Sequence, residues 1–101
     1  MEDINVQELK SKLENKEDFV FIDVREPHEN ESDNLGGQLI PLGDIPVAVP
    51  RLLEHKDQEV VIYCRSGARS GRAKEYLVQN FGFTNVRNVL GGILAYREME
   101  K

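Results

Sequence analysis

A chain of 101 residues, 40% hydrophobic and 31% charged, is long enough to bury one core and has the composition of a globular domain rather than a disordered protein. Its formal net charge of -5 at pH 7 lacks the basic balance typical of nucleic-acid binders and disfavours contact with anionic membrane surfaces. No apolar run approaches the roughly 20 residues of a membrane span, so the composition predicts one soluble domain over residues 1–101.

The first part of the chain alternates helical and extended patterns. Asn5 and Glu8 have the spacing of a capping box, and the apolar residues after them recur at helical intervals, which predicts a helix over residues 6–15. The apolar run over residues 19–24 predicts a central strand. Residues 25–29 predict a turn into a short helix, because proline suits the first helical turn and acids suit its N-terminus.

Loop signals dominate the next stretch. Asparagine and glycine interrupt the periodicity of residues 31–43, so at most a short strand fits there, at residues 39–40. A continuous helix through both Pro46 and Pro50 would lack backbone donors. The sequence therefore predicts a turn near Pro46 and a short helix over residues 50–55.

The second half continues the alternation. Residues 60–63 are all β-branched or aromatic, which predicts a strand buried on both faces of a parallel sheet. The apolar residues that follow share one helical face: Ala73, Tyr76, Leu77 and Phe81. Gly82 is the predicted end of that helix, and residues 86–90, 91–92 and 93–100 predict a last strand, a turn and a terminal helix. Strands that alternate with helices predict an α/β domain with a mostly parallel sheet.

Cys64 has the most informative surroundings in the chain. It ends the predicted strand over residues 60–63 and begins a short polar loop that leads into a helix. In open α/β sheets this edge is where ligands bind, and the amides of a loop that enters a helix converge on an anion. We expect these amides, the helix dipole, Arg65 and Arg69 to stabilise a Cys64 thiolate and to attract small anions.

Cysteine use also bears on the compartment. Cys64 is the only cysteine, so an intramolecular disulfide is excluded, and no cysteine and histidine cluster has the spacing of a structural zinc site. The residues before Val6 lack the basic and apolar pattern of a secretory signal. We therefore expect a cytoplasmic protein with a reduced thiol and without a metal or organic cofactor.

Three segments together carry a family resemblance. Residues 64–70 (CRSGARS) are similar to the active-site loop of single-domain rhodaneses and of the rhodanese modules fused to sulfur-carrier adenylyltransferases. Residues 22–27 (IDVREP), followed by 39–42 (LIPL), resemble the family's first signature, and residues 90–96 (LGGILAY) resemble its closing glycine pair and aromatic. Over nearly its whole length the chain thus resembles a single rhodanese homology domain.

The chain departs from the family pattern at two places. Residues 33–37 (DNLGG) stand where the family often has a Gly-His-Ile tripeptide, and the stretch is one residue shorter. Tyr96 stands where the closing aromatic is often tryptophan, which we interpret as a packing difference. The resemblance therefore assigns no role to the residues between Asn30 and Gln38.

The resemblance implies a fold and an activity. The fold is a single α/β domain whose central, mostly parallel sheet has about five strands flanked by helices on both faces. The activity is sulfur transfer: thiosulfate or a persulfide gives its outer sulfur to Cys64, and the resulting persulfide passes that sulfur to a thiol, cyanide or a sulfur-carrier protein. This is covalent catalysis by an activated thiolate, and we expect the domain to act as a monomer.

The resemblance also implies a set of site residues around Cys64, the catalytic nucleophile. Arg65 and Arg69 would recognise a doubly charged anionic donor. Asp23 and Arg25 resemble a supporting pair with a structural role. The remaining substrate-binding residues would act mostly through backbone amides: Ser66, Gly67, Ala68 and Ser70.

Two other function classes fit part of the sequence. A cysteine and an arginine that bracket an amide-lined loop also hold phosphate in cysteine-dependent phosphatases and arsenate reductases. Four residues separate Cys64 from Arg69 here, whereas the phosphatase loops related to this fold have five, and the shorter ring suits a single sulfur atom. Other rhodanese-like domains are binding or regulatory modules that have lost the cysteine, and the presence of Cys64 weighs against that class.

Overall fold

Four parallel strands form one sheet in the computed structural model, which describes residues 2–101. The strands are β1 (Val20–Asp23), β2 (Gln38–Leu39), β3 (Val60–Tyr63) and β4 (Val86–Asn88), in the spatial order β2-β1-β3-β4. The helices are α1 (Val6–Glu14), α2 (Pro27–Ser32), α3 (Ile45–Leu52), α4 (Ala68–Phe81) and α5 (Gly92–Met99), with short 3-10 turns at Leu42–Asp44 and Leu53–His55. The predicted α/β class and the helices on both faces of the sheet are confirmed.

Strand β3 lies inside the sheet and is buried on both faces. Val60 and Ile62 pack with α3 and α4, and Cys64 continues the same face beyond the strand. Val61 and Tyr63 point the other way and pack with α1 and α5. Because both faces are covered, the strand is apolar throughout, as the sequence pattern predicted.

The prediction of about five strands differs from the four that form. At one edge of the sheet Ile4 makes a single parallel bridge with Val89, and the Ile4 amide donates to the Asn88 carbonyl at 3.0 Å. The side chain of Asn5 then accepts a hydrogen bond of 2.8 Å from the Glu8 amide and caps α1. Because the helix begins at the next residue, the extended segment is too short to count as a fifth strand.

The predicted turn at Pro46 is wrong, and the helix predicted over residues 50–55 begins earlier, at Ile45, and continues as a 3-10 turn to His55. One helix, α3, runs through both prolines, with Pro46 in its first turn and Pro50 inside it. Pro46 lies where no intrahelical donor is needed, and Pro50 removes one hydrogen bond near the end of a short helix. Burial of Ile45, Val49 and Leu52 against the sheet offsets that loss.

The other elements follow their predictions closely. Helix α4 ends at Gly82, whose φ of 69° is the left-handed conformation expected of a C-terminal glycine. The turn at Gly91 and Gly92 also has positive φ angles, and α5 follows it directly. None of the helices in residues 2–101 combines the length and the apolar character needed to cross a membrane.

Candidate active site

Cys64 follows β3 at the carboxyl edge of the sheet and is 1% exposed. The chain then passes through Ser66 and Gly67 and enters α4 at Ala68. Gly67 has a φ of 101°, which an L side chain rarely adopts, so glycine permits the sharp return of the backbone toward the sulfur. The predicted strand, loop and helix arrangement around the thiol is therefore present.

Three donors point at the Sγ atom of Cys64. The Gly67 amide lies 3.1 Å away, the Ser70 amide 3.4 Å and the Ser70 hydroxyl 3.3 Å. Burial by itself raises the pKa of the Cys64 thiol, but the Ser70 hydroxyl and the amides of Ser70, Gly67 and Ser66 outweigh it and leave the pKa below its ordinary value. The site is arranged for a thiolate.

Asn88, at the end of β4, supports this loop, and the sequence analysis did not identify it. Its side-chain Oδ1 accepts a hydrogen bond of 2.6 Å from the Ser70 hydroxyl, and its Nδ2 donates to the Gly67 carbonyl at 3.1 Å. The sequence indicates this role only indirectly. Because β4 is parallel to β3, the carboxyl ends of both strands lie at the same edge of the sheet, which brings Asn88 close to the Cys64 loop.

The two predicted arginines lie in different surroundings. Arg69 forms an ion pair with Glu29 of α2, through contacts of 2.7 and 2.9 Å between its two terminal nitrogens and the two carboxylate oxygens. Both side chains are partly buried, 31% and 20% exposed. Arg65 is exposed and has no acidic partner within residues 2–101. Arg65 is therefore the loop cation that is free to meet an anion.

The N-terminus of α5 holds the backbone of the same loop. The Ile93 amide donates to the Cys64 carbonyl at 2.9 Å, and the Leu94 amide donates to the Arg65 carbonyl at 3.2 Å. A Cβ on Gly92 would lie 2.4 Å from the Arg65 carbonyl oxygen, so only glycine allows this approach. The glycine pair predicted as a turn thus also fixes the position of Cys64.

Asp23 and Arg25 form a buried pair at the end of β1. The Arg25 Nε lies 3.0 Å from Asp23 Oδ1 and its Nη2 lies 2.8 Å from Oδ2, and both residues are almost fully buried. Burial tends to raise the pKa of Asp23, but the hydrogen bonds from Arg25 and Asn30 lower it below its ordinary value. Arg25 also donates to the Asp33 carbonyl at 2.7 Å. The pair therefore has its charges and donors engaged inside the protein.

Tyr63 anchors the stretch that departs from the family pattern. Its hydroxyl donates to the Gly36 carbonyl at 2.9 Å and accepts from the Leu35 amide at 3.0 Å. Burial raises the pKa of Tyr63 to about 12, so the hydroxyl keeps its proton and the contact. Arg97 of α5 also donates to the Asp33 carboxylate and to the Asn34 carbonyl, so residues 33–37 are held by Arg25, Tyr63 and Arg97 rather than by Cys64.

A cleft of about 390 Å³ opens beside the Cys64 loop. Arg65 and His28 line it together with the apolar side chains of Ile93 and Leu94. His55 lies elsewhere, with its Nδ1 2.8 Å from the Gln58 side chain. A cluster of three or more acidic, histidine or cysteine ligands for a metal does not occur in the part of the chain that the structure describes.

Comparisons with known proteins agree on the fold. The model of the Rhodanese-like domain family matches residues 5–99. A sulfurtransferase from Allochromatium vinosum is 39% identical over 95 residues, which span 93% of this chain and 86% of that protein. The crystal structure of a rhodanese-like domain protein from Staphylococcus aureus has a TM-score of 0.82 and 33% identity, over 95% of this chain and 91% of that chain.

A second kind of relative is much longer than this chain. A tRNA uridine(34) hydroxylase from Pectobacterium carotovorum is 36% identical over 89 residues, which span 83% of this chain and 25% of that protein. The same domain therefore occurs as nearly a whole protein in one relative and as a quarter of the protein in another.

Proposed function

The chain belongs to the rhodanese-like domain family, and from that membership we propose that it is a sulfurtransferase that carries sulfane sulfur as a persulfide on Cys64. The observation that carries the proposal is the set of three hydrogen-bond donors within 3.4 Å of Sγ. Donors in fixed positions stabilise the negative charge of a thiolate. They also stabilise a persulfide anion, whose charge lies on a sulfur one bond beyond Sγ.

The first half-reaction loads the enzyme. The Cys64 thiolate attacks the outer sulfur of thiosulfate, a bond forms between the two sulfur atoms, and sulfite leaves with the electron pair of the broken S–S bond. The total charge is unchanged, because the persulfide takes one negative charge and sulfite takes two. A persulfide donor follows the same course and releases its thiolate instead of sulfite.

The second half-reaction unloads it. A nucleophilic acceptor attacks the outer sulfur of the persulfide, and Cys64 leaves as a thiolate, ready for another cycle. Thiolate and cyanide acceptors each carry one negative charge away with the sulfur, so atoms and charge balance. The proposed acceptors are a small thiol or a sulfur-carrier protein.

The anionic donor is recognised by the loop and by Arg65. The amides of Gly67 and Ser70 donate to the sulfur, and the exposed guanidinium of Arg65 supplies the positive charge. Arg69 contributes to the donor site less directly, because its two terminal nitrogens are engaged by Glu29. Asp23 and Arg25 support the end of β1.

Partners and location follow from the same proposal. The domain acts on small anionic sulfur donors, as a monomer in the cytoplasm, without a metal or organic cofactor. The A. vinosum relative is called a sulfurtransferase, which supports the reaction class. The hydroxylation named for the P. carotovorum relative belongs to a protein of which the match spans only 25%, and it is not proposed for this chain.

Phosphate chemistry remains the alternative to exclude by experiment. The four-residue spacing from Cys64 to Arg69 and the convergence of the donors on Sγ favour a single sulfur over a phosphorus centre with three oxygens. No contact in the site favours phosphate over sulfur transfer.

Intact mass spectrometry after incubation with thiosulfate tests the proposal. We expect a mass increase of one sulfur atom on the wild type, lost after addition of cyanide, and none on Cys64→Ser with an unchanged circular dichroism spectrum. Turnover by the folded serine variant at the wild-type rate would show that another group carries the sulfur.

A further inference from the structure

The Ser70 hydroxyl has one hydrogen and two acceptors. Its Oγ lies 2.6 Å from the side-chain oxygen of Asn88 and 3.3 Å from the sulfur of Cys64, and Ser70 is 0% exposed. Neither an amide oxygen nor a thiolate has a hydrogen to give, so the hydroxyl must be the donor to both. It can serve only one of them at a time.

Asn88 cannot turn its oxygen away from Ser70. Its Nδ2 donates to the Gly67 carbonyl at 3.1 Å, which fixes the orientation of the amide plane. Its backbone amide donates to the Asp3 side chain at 3.0 Å, and Asp3 is itself paired with Lys74 at 2.6 Å. The acceptor opposite the sulfur is therefore held from both its backbone and its side chain.

We propose that Asn88 is a positioning residue that holds the Ser70 hydroxyl hydrogen whenever Sγ is uncharged and releases it to Sγ when the thiolate forms. Rotation about the Cβ–Oγ bond of Ser70 is sufficient, and no heavy atom has to move. The buried hydroxyl then has a hydrogen-bond partner in every state of the sulfur.

The consequence for sulfur transfer rests on the proposed function. In the thiolate the negative charge lies on Sγ, whereas in the persulfide it lies on the outer sulfur. The short hydrogen bond to Asn88 is available to the thiol and to the persulfide but is given up in the thiolate. Asn88 thus favours loading of Cys64 by stabilising the loaded state relative to the empty thiolate.

A double-mutant cycle separates the effect of Asn88 through the Ser70 hydroxyl from its effect through the Gly67 carbonyl. The variants are Asn88→Ala, Ser70→Ala and the double variant, and the measured quantity is the Cys64 pKa from the pH dependence of alkylation by iodoacetamide, without a sulfur donor. We expect Asn88→Ala to lower the pKa by about 0.5 to 1 when Ser70 is present and to have a much smaller effect when residue 70 is alanine.

The charged surroundings of Cys64 are the same in all four proteins. They are Arg65 on the loop, Arg69 of α4 with Glu29 of α2, and the pair of Asp23 and Arg25 at the end of β1. The matched control is Asn85→Ala, which removes an asparagine just before β4 and should leave the pKa unchanged. Asn88→Leu, similar in shape to asparagine but without an acceptor, gives a second cycle if the alanine variant does not fold.

Two results would overturn the proposal. If Asn88→Ala shifts the Cys64 pKa equally with and without Ser70, Asn88 acts only through Gly67. If Asn88→Ala raises the Cys64 pKa in a way that depends on Ser70, the effect has the opposite sign to the one proposed. A second measurement, the ratio of Cys64 persulfide to Cys64 thiolate at a fixed ratio of thiosulfate to sulfite, should fall roughly three- to tenfold in Asn88→Ala. If the wild type takes up no sulfur, the proposed function fails, and the alkylation cycle still decides the role of Asn88.

Discussion

Glu29 holds the guanidinium of Arg69 through two hydrogen bonds, of 2.7 and 2.9 Å, that join α2 to the start of α4. The pair ties the helix after β1 to the helix that follows Cys64. It also compensates the charge of one of the two arginines that follow Cys64 in the loop and in α4, so the electrostatic attraction for an anion is concentrated at Arg65.

Replacement of Arg65 should therefore weaken donor binding more than replacement of Arg69. We expect Arg65→Ala to raise the KM for thiosulfate roughly tenfold, since one charged contact is lost, and to affect a neutral persulfide donor much less. Steady-state kinetics with both donors measure the difference. Arg72→Ala, which removes an exposed arginine of α4, is the matched control, and equal losses for Arg65 and Arg72 would contradict a specific role.

The ion pair of Glu29 and Arg69 should make the free energy of unfolding depend on pH in the acidic range. The hydrogen bonds from Arg69 lower the pKa of Glu29 from 4.5 to about 2. A carboxyl whose pKa is depressed on folding contributes stability that is fully present above pH 4.5 and is lost as the pH falls toward 2. Urea unfolding between these values should show a steeper loss for the wild type than for Glu29→Gln. Parallel curves would show that the ion pair contributes nothing to stability.

Gly92 should be much less replaceable than Gly82, although both have positive φ. A Cβ at Gly92 would lie 2.4 Å from the Arg65 carbonyl oxygen, whereas a Cβ at Gly82 meets nothing within 4 Å. We expect Gly82→Ala to cost about 1 kcal/mol of unfolding free energy, from backbone strain alone, and Gly92→Ala to cost more than about 2 kcal/mol.

Gly92→Ala should also alter the thiol. A displaced Arg65 carbonyl shifts the loop that carries the Cys64 donors, so alkylation of Cys64 should require a higher pH than in Gly82→Ala. Denaturant titrations and iodoacetamide profiles of the two variants measure both effects. If Gly92→Ala and Gly82→Ala lose the same unfolding free energy and have the same alkylation profile, the backbone of the loop adapts without strain.

Loop length should separate sulfur transfer from phosphate chemistry. The wild type should neither hydrolyse aryl phosphates at enzymatic rates nor bind vanadate tightly, because donors must lie within ~2.7 to 3.2 Å of the oxygens to contribute. Insertion of one glycine between Gly67 and Ala68 should widen the ring, improve vanadate binding and lower thiosulfate turnover. Circular dichroism checks that the insertion variant folds. If the folded variant has the same vanadate binding and thiosulfate turnover as the wild type, loop length does not separate the two activities and the phosphatase interpretation regains support.

Local patterns in the sequence were sufficient to predict most elements and the position of Cys64. The run over residues 60–63 has one structural interpretation, because burial of a strand on both faces restricts its residues to apolar types. The path of α3 was mispredicted because its two prolines were weighed as local breakers, and the burial of Val49 and Leu52 depends on the sheet packed against them.

Contacts between distant segments could not be predicted. Asn88 is 24 positions from Cys64 in the numbering, and only the pairing of β4 with β3 brings its amide to Ser70. The ion pair of Arg69 with Glu29 could not be predicted either, because Glu29 lies on another helix, far away in the sequence. Sequence spacing identified the donors of the loop but not the residues that orient them.

The bridge between Ile4 and Val89 and the contact of Asp3 with Asn88 tie the segment ahead of α1 to the end of β4, where Asn88 contacts the Ser70 hydroxyl. Amide protons at Ile4 and Leu90, which bond across this bridge, should exchange with solvent as slowly as those of the sheet interior. Proteolytic trimming ahead of Asn5, or a bulky affinity tag fused there, should therefore change the reactivity of Cys64 without touching any residue of its loop.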